Sequence, residues 1–512
     1  MASFSIPLTG LKADSTALNT IANDLANMNT TAYKSKTTSF ADLLYQQIGT
    51  TGSGDEIQVG SGVKVDSNTT DFTTGSISST SVSSDAAIDG DGFFILDNSG
   101  SQLYTRDGAF QLSSSGTLEA SNGLAVMGYS ATKGVVNTGG TLSDIVIPTG
   151  QVMSPSATTT FSMTQNLDSS NSNGTSTTGT VKVYDSLGRS YEATVTYTKV
   201  GTNDWSYSVS MPDTLSANST TVAGTTTTTY SFGSSGGTLA TVNPGTNLTI
   251  TGNTAAGSSA TIAAPTVTTG ETIAAYATAL TNAMTAAGII GITATASAAG
   301  VLTITGTNLS TSGSVIQDPV ASAAASGTLL FNASGNLISP ATGVSGITFA
   351  GLSDGAATLN MTWDLYGSSG SSNISQTAST SSTSSTEQNG YTTGNYQGYS
   401  IGSDGTVSVT YSNGESQTVG QLAIANVANE QGLVALGSTN YQTTTASGSA
   451  TVGVAGTGGR GALEGSSLEA SNVNISGEFS ELIVAQRAFE ANAKTVTTFD
   501  TVTQDTINMI SR

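Results

Sequence analysis

The sequence predicts a mainly β, multi-domain protein with N- and C-terminal α-helices that pair as a coiled coil on assembly, its domains nested as insertions. Three observations lead there. The strong amphipathic helical patterns sit at the two extremities, the long interior alternates as strands do, and each β pattern resumes after the segment that interrupts it.

In the first helix, Leu8, Leu11, Ser15, Leu18, Ala22 and Leu25 step by three and four, and Ile21 and Met28 widen the stripe. Gly10 reads as a weak first turn, and Asn27, Asn29, Thr30 and Thr31 stop the helix with residues that favour caps and turns. The second stripe runs Ile475, Phe479, Leu482, Gln486, Phe489, Ala493, Val496, Phe499, Thr503, Ile507, Ile510. Asn474 suits its N-cap, Glu478 its first turn, and Glu490 with Lys494 an i,i+4 pair. The candidate assembly residues are Leu11, Leu18, Ile21 and Leu25 on the first helix. On the second they are Phe479, Leu482, Phe489, Val496, Phe499 and Ile510. Two helices packed only on each other leave much apolar surface wet. Burying a large side chain is worth ~1–2 kcal/mol, so neighbouring copies of the chain are the natural cover.

Between the helices, residues 34–72 read as irregular, punctuated by Gly49, Gly52, Gly54, Gly60 and Gly62. Turn-then-strand signals follow at Ile88–Leu96, Tyr104–Phe110 and Asn122–Tyr129. Val181 and Val183, then Tyr191, Ala193, Val195 and Tyr197, alternate around Asp185-Ser186-Leu187-Gly188 and predict a hairpin that Trp205 and Tyr207 continue. Residues 214–326 turn Thr/Ala/Gly-rich around one expected helix, Glu271–Ala287, before the earlier style resumes at Gly327. Ser375–Glu387 reads as a Ser/Thr linker, Asn413-Gly414 as a hairpin turn, and 448–465 as a Gly-rich approach to the last helix. The expected nesting is 1–33 with 472–512 (helical), 34–72 with 441–471 (connecting), 73–160 with 376–440 (β), 161–213 with 327–375 (β), and 214–326 as an inserted surface module.

Composition narrows function. Thirteen Lys+Arg against 34 Asp+Glu give a net charge of -21, which disfavours nucleic acid and anionic membrane as partners. Without Cys or His, thiolate zinc sites, Cys nucleophiles and the commonest general base are excluded. The reading is a protein with no catalytic, cofactor-binding or metal residues. The first residues lack a cleavable export signal, and no apolar run is long enough to insert in a membrane.

Three motifs invite sharper readings. Gly456-x-Gly458-x-x-Gly461 fits a dinucleotide fingerprint by letter but lies in a Gly-rich stretch that opens no crossover helix. Asp89-Gly90-Asp91-Gly92 begins like a calcium loop, yet Phe93 stands where an oxygen ligand is required, so a turn is expected. Carboxylate pairs are the remaining catalytic chemistry, and nothing singles one out among 34 acids.

The segment Asn23-Asp24-Leu25-Ala26-Asn27-Met28-Asn29-Thr30-Thr31-Ala32-Tyr33-Lys34 resembles the N-terminal signature of the flagellar rod–hook family of axial proteins, with Ala32 where Gly or Pro is usual. Ser471-Asn472-Val473-Asn474 with Ala485-Gln486-Arg487-Ala488-Phe489 is similar to the family's C-terminal signature. Val183–Gly188, Asp404–Val407 with Tyr411–Gly414, and Gln421–Val427 with Gln431–Leu433 resemble the hook branch. The resemblance covers 1–213 and 327–512. It implies an exported axial subunit, extracellular on the flagellum, that polymerises with itself into a curved flexible tube transmitting torque. Helices would line its channel, with 73–160/376–440 as an inner and 161–213/327–375 as an outer β domain. Implied partners are the rod, the hook-capping and hook–filament junction proteins, and the type III export apparatus. A distal rod or hook-associated protein is the nearest alternative, against which length and the 183–188 motif speak. A β-rich secreted adhesin would share the composition but not explain helices at both ends.

Overall fold

Three α-helices stand out among the described residues of a computed structural model, which covers 4–50 and 56–510: α1 (Ser5–Ala26), α2 (Ile273–Ala286) and α3 (Ile475–Ile510). Nearly all remaining regular structure is β. The chain forms a terminal unit, Met1–Gln151 with Asn395–Arg512, and a central unit, Val152–Gly394.

In the terminal unit the strand Phe93–Asn98 pairs antiparallel with Ser101–Thr105, Ala125–Thr132 and Ser416–Asn426, so strands far apart in sequence share one sheet. Phe93, Ile95, Tyr104, Tyr129, Ala425 and Tyr441 are buried in its core. The rings of Phe72, Phe93 and Tyr441 meet edge to face, their centroids 5.4–5.8 Å apart.

The stretch 34–72 is not irregular. Lys36–Asp42 pairs antiparallel with Val63–Thr70, and Tyr45–Thr50 with Glu56–Gly60. Of the glycines read as breakers, Gly49 and Gly60 lie within these strands, Gly62 between two of them takes a φ of +115° that only glycine adopts readily, and Gly52 and Gly54 lie outside the described residues. The 448–465 stretch is likewise ordered as strands Thr451–Val454 and Ala462–Gly465. The amide of Gly456 donates to the carbonyl of Gly461 across the turn, and a strand follows, so this fingerprint has no crossover helix.

The boundary expected at 375/376 falls inside a sheet. Ile374–Thr377 pairs parallel, and Ser382–Gln388 antiparallel, with Thr160–Asp168. Low complexity conceals an exposed strand whose hydroxyls bond to its neighbour, as Ser385 does to Thr164 at 3.0 Å. Residues 152–160 and 376–394 therefore fall in the central unit.

The expected hairpin about 185–188 forms, with Ser176–Tyr184 and Ser190–Gly201 in unbroken register, and Asp204–Ser210 extends it. These strands bury Tyr197, Trp205 and Val195 against Phe161 and Trp363. A second core in the same unit gathers Ile250, Tyr276, Leu280, Leu302 and Ile304 about α2, drawing all its buried residues from 215–315. Thr272 caps α2, accepting from the amide of Ala275 at 3.2 Å.

Leu215 and Val315 face each other across an antiparallel pair, so the chain enters and leaves this second core at adjacent points. Residues 216–314 contribute no buried side chain to the tryptophan core. Replacing 216–314 by a short Gly-Ser turn is therefore expected to leave Trp205 and Trp363 in their native environment. Because these are the chain's only tryptophans, their fluorescence maximum reads the result directly. A shift toward that of unfolded protein would show that the two cores depend on each other.

Candidate assembly interface

The Asn-rich end of α1 builds a corner that turns the chain back onto the β structure. Asn27 donates to the Asn23 carbonyl at 2.8 Å. The Tyr33 hydroxyl donates to Asp24 Oδ1 at 2.6 Å while accepting from Asn23 Nδ2 at 2.8 Å. Asp24 Oδ2 accepts the Lys36 amide at 2.8 Å, so this buried carboxylate is satisfied on both oxygens. Burial, and then the bond to Asp24, push the Tyr33 phenol well above its ordinary range. Ala32 is buried with φ at +54°, the left-handed region that favours glycine. That conformation suits glycine, one of the two residues usual at this point of the signature, but not proline, whose ring fixes φ near about −65°.

Beyond the corner Lys34 enters a fully buried charge cluster. Its Nζ lies 2.7 Å from Glu469 Oε1, and Arg106 Nε lies 2.9 Å from Glu469 Oε2. Lys34 also donates to the Thr73 carbonyl, and the Gly75 amide donates to Glu469 Oε1. The Arg106 guanidinium also donates to the carbonyls of Ile88, Gly90 and Gly92 and to the Thr74 hydroxyl. The Asp89–Gly92 turn is thus a carbonyl cradle for Arg106. Burial, and then repulsion from Arg106, hold the Lys34 pKa below its ordinary value, against the attraction of Glu469. Asn472 completes the junction by accepting the Ser35 amide and donating to the Asp71 carbonyl, each at 2.8 Å.

The junction sets α1 beside α3. The Phe4 ring meets Phe499 edge to face at 6.0 Å, Asp14 accepts from Asn492 Nδ2 at 2.8 Å, and Asp24 acts electrostatically on Glu478. These pairings descend along α3 as they ascend along α1, so the helices run antiparallel. Gly10 is a contact point and not merely a weak turn, for a Cβ there would lie 2.6 Å from Asn492 Nδ2. Asn474 Oδ1 caps α3 by accepting the Gly477 amide at 3.2 Å. Glu490 pairs with Arg487, three residues back at 2.9 Å, in place of the expected Lys494.

The face that α1 buries is built mostly of small residues: Pro7, Gly10, Ala13, Ala17, Thr20, Ile21 and Asp24. Part of it rests on the Lys36–Asp42 ribbon, where Thr38 bonds Thr20 at 3.0 Å. Among the candidate residues only Ile21 is buried within the subunit, in a groove of about 350 Å³ shared with Phe40, Val484 and Ala485. Leu11, Leu18 and Leu25 remain half-buried, as do Leu482, Val496 and Phe499, while Leu8 is 60% exposed. Phe479 is 52% and Phe489 37% exposed, and the side chain of Ile510 lies outside the described residues. No described side chain of α3 is buried. The helix pair therefore presents an unburied apolar band larger than scattered surface residues account for.

Sequence reasoning missed Glu469 and Arg106. Their signal was the rarity of charge, 9% of residues, beside two signatures that fold back on each other.

Comparison with known proteins agrees with this layout. The helical ends match models of the flagellar basal body rod protein (7–34) and the C-terminal region of flagellar basal body rod FlgEFG proteins (464–509). The interior matches the flagellar hook protein FlgE/F/G D1 domain (87–182) and the flagellar basal body protein FlaE D2 domain (149–305 and 299–391). The flagellar hook protein FlgE of Escherichia coli K12 is 30% identical over 521 residues, covering 99% of each chain. The chain belongs to the flagellar hook protein family. The FlgE of Salmonella typhimurium is 31% identical over 99% of this chain and 100% of its own, and that of Treponema pallidum 27% over 99% and 98%. The D2 match runs through 214–326, which the sequence resemblance had left out, so that segment lies within the span of the family domain.

Truncating Glu469 to Ala would leave Lys34 and Arg106 buried without a counter-charge, a loss of about 3–5 kcal/mol. The expected outcome is a fall of that size in the denaturation transition of the terminal unit, followed by circular dichroism. Tryptophan fluorescence, which reports only the central unit, should be unchanged. A terminal unit of unaltered stability would show that the cluster does not hold the junction.

Proposed function

We propose that this chain is the structural subunit of a bacterial flagellar hook, polymerising into a curved, flexible tube that passes torque from rod to filament. The observation that carries the reading is α3: 36 residues of helix, none of its described side chains buried, with Phe479, Ile483, Val484 and Phe489 among those exposed. Apolar helix surface of this extent is stable in water only when covered, and repeated copies of one chain joined through unlike faces cover it while extending a helical tube.

The division of labour follows from the packing. The paired helices supply the continuous inner contact. The β units, which carry their own cores, form the outer layers and slide between weak alternative contacts as the tube bends. Sparse charge and abundant Ser, Thr and Gly suit such contacts. The location is the flagellum outside the cell, reached by the type III export apparatus. The axial partners are the rod, the cap and the hook–filament junction proteins. The reading includes no catalytic step and no cofactor. The full-length family relatives named for the hook favour it over a distal rod or hook-associated role.

Because Phe479 is already half-wet in the subunit, Phe479→Asp costs the isolated chain little, but a charge buried in a subunit contact costs several kcal/mol. Electron micrographs of the concentrated wild-type protein should show curved tubes. The variant, with unchanged circular dichroism, should remain monomeric. Straight rods from the wild type would favour a rod component. Variant tubes indistinguishable from wild type would remove Phe479 from the interface.

A further inference from the structure

Four Asn-Gly pairs punctuate the chain, beginning at Asn122, Asn173, Asn389 and Asn413. The pair is chemically reactive, because glycine has no side chain to keep its main-chain nitrogen away from the asparagine amide carbon. Three of the pairs sit in turns, and Asn389 follows the strand Ser382–Gln388. The fold restrains the four to very different degrees.

Asn389 is held most firmly. Its Oδ1 accepts the amides of Thr159 and Thr160 at 2.9 and 3.0 Å, and its Nδ2 donates to Thr159 Oγ1 at 2.7 Å. The Gly390 amide donates to Gln388 Oε1 at 2.6 Å. Asn122 Oδ1 accepts the Leu124 amide, and Asn413 Oδ1 the Glu415 amide, so each is fixed across its own turn.

Asn173 differs from the other three. It is exposed in the 169–175 loop that joins the strands Thr160–Asp168 and Ser176–Tyr184, and its side chain makes no hydrogen bond among the described residues. Gly174 is exposed too, with φ at +89°. A single main-chain bond, from the Gly174 amide to the Lys199 carbonyl at 2.7 Å, has to open to free the nitrogen. Exposed loops with so few bonds open at little cost.

We infer that Asn173 is a site of spontaneous covalent modification, converting to aspartate and isoaspartate through a cyclic imide formed with Gly174. The Gly174 nitrogen bonds to Asn173 Cγ, the Cγ–Nδ2 bond breaks, and Nδ2 leaves as ammonia carrying the proton that the glycine nitrogen gives up. Water then opens the ring. Opening at Cγ leaves aspartate, and opening at the main-chain carbonyl carbon leaves isoaspartate. Each event adds one negative charge, and the isoaspartate product places an extra carbon in the main chain of the turn. The converted fraction therefore records the age of the chain.

The test holds the full-length chain in mildly alkaline buffer for several days and digests it. Mass spectrometry, with fragmentation that separates aspartate from isoaspartate, then follows the peptides carrying the four pairs. Asn173 should convert first, exceeding Asn389 by about tenfold or more. In urea strong enough to unfold the chain the four should convert at similar rates, since only the fold distinguishes them. Asn173→Gln, which would have to close a larger ring, should remove the signal at this position and leave the tryptophan fluorescence unchanged. Conversion at Asn173 no faster than at Asn389 in the folded chain, or the same ranking in urea, overturns the inference.

Discussion

Glu469 is the point through which the terminal unit is held together. One buried carboxylate faces a lysine from the segment after α1 and an arginine from the β sheet, and accepts an amide from a third strand of chain. Each partner is costly to bury alone, so the three are stable only in each other's presence. This couples segments 363 and 435 residues apart in sequence. Asn472 and the Asp24–Tyr33 pair extend the junction into both helices, so the entry of α1 and the exit into α3 are set together. The two terminal signatures read as one structural element split between the ends of the chain.

The consequence is a helix pair whose faces are unequally used. Small residues and Gly10 let α1 approach its neighbours closely, and the larger apolar groups are left over. That arrangement suits the proposed role of a subunit, whose helix contacts are completed only by another copy. The net charge of -21 keeps the free chain soluble meanwhile.

Much of this was legible in the sequence, and the failures have physical causes. Helix positions, the Asn474 cap, the 185–188 and 413–414 hairpins and the α2 helix followed from periodicity and turn chemistry, which are local. The ribbons within 36–70 and the strand 382–388 were missed because Ser and Gly carry weak strand signals, Thr there seldom alternates with apolar residues, and the pairing is decided by distant partners. The stripe of Leu11, Leu18 and Leu25 was correctly seen as apolar, but hydrophobicity alone did not show that the subunit buries the smaller adjacent face. The charge cluster left only the rarity of charge as a signal, because no local pattern links Lys34, Arg106 and Glu469. Only the fold makes them neighbours.

In the proposed assembly, other copies of the chain cover the apolar band of α1 and α3. Amide hydrogen exchange of residues 475–510, compared between free subunit and polymer, tests it most directly. Exchange along α3 should slow by about two orders of magnitude or more on polymerisation, because a helix with no buried side chain opens readily when free. Equal exchange in both states, with new protection confined to the β units, would place the subunit contacts elsewhere.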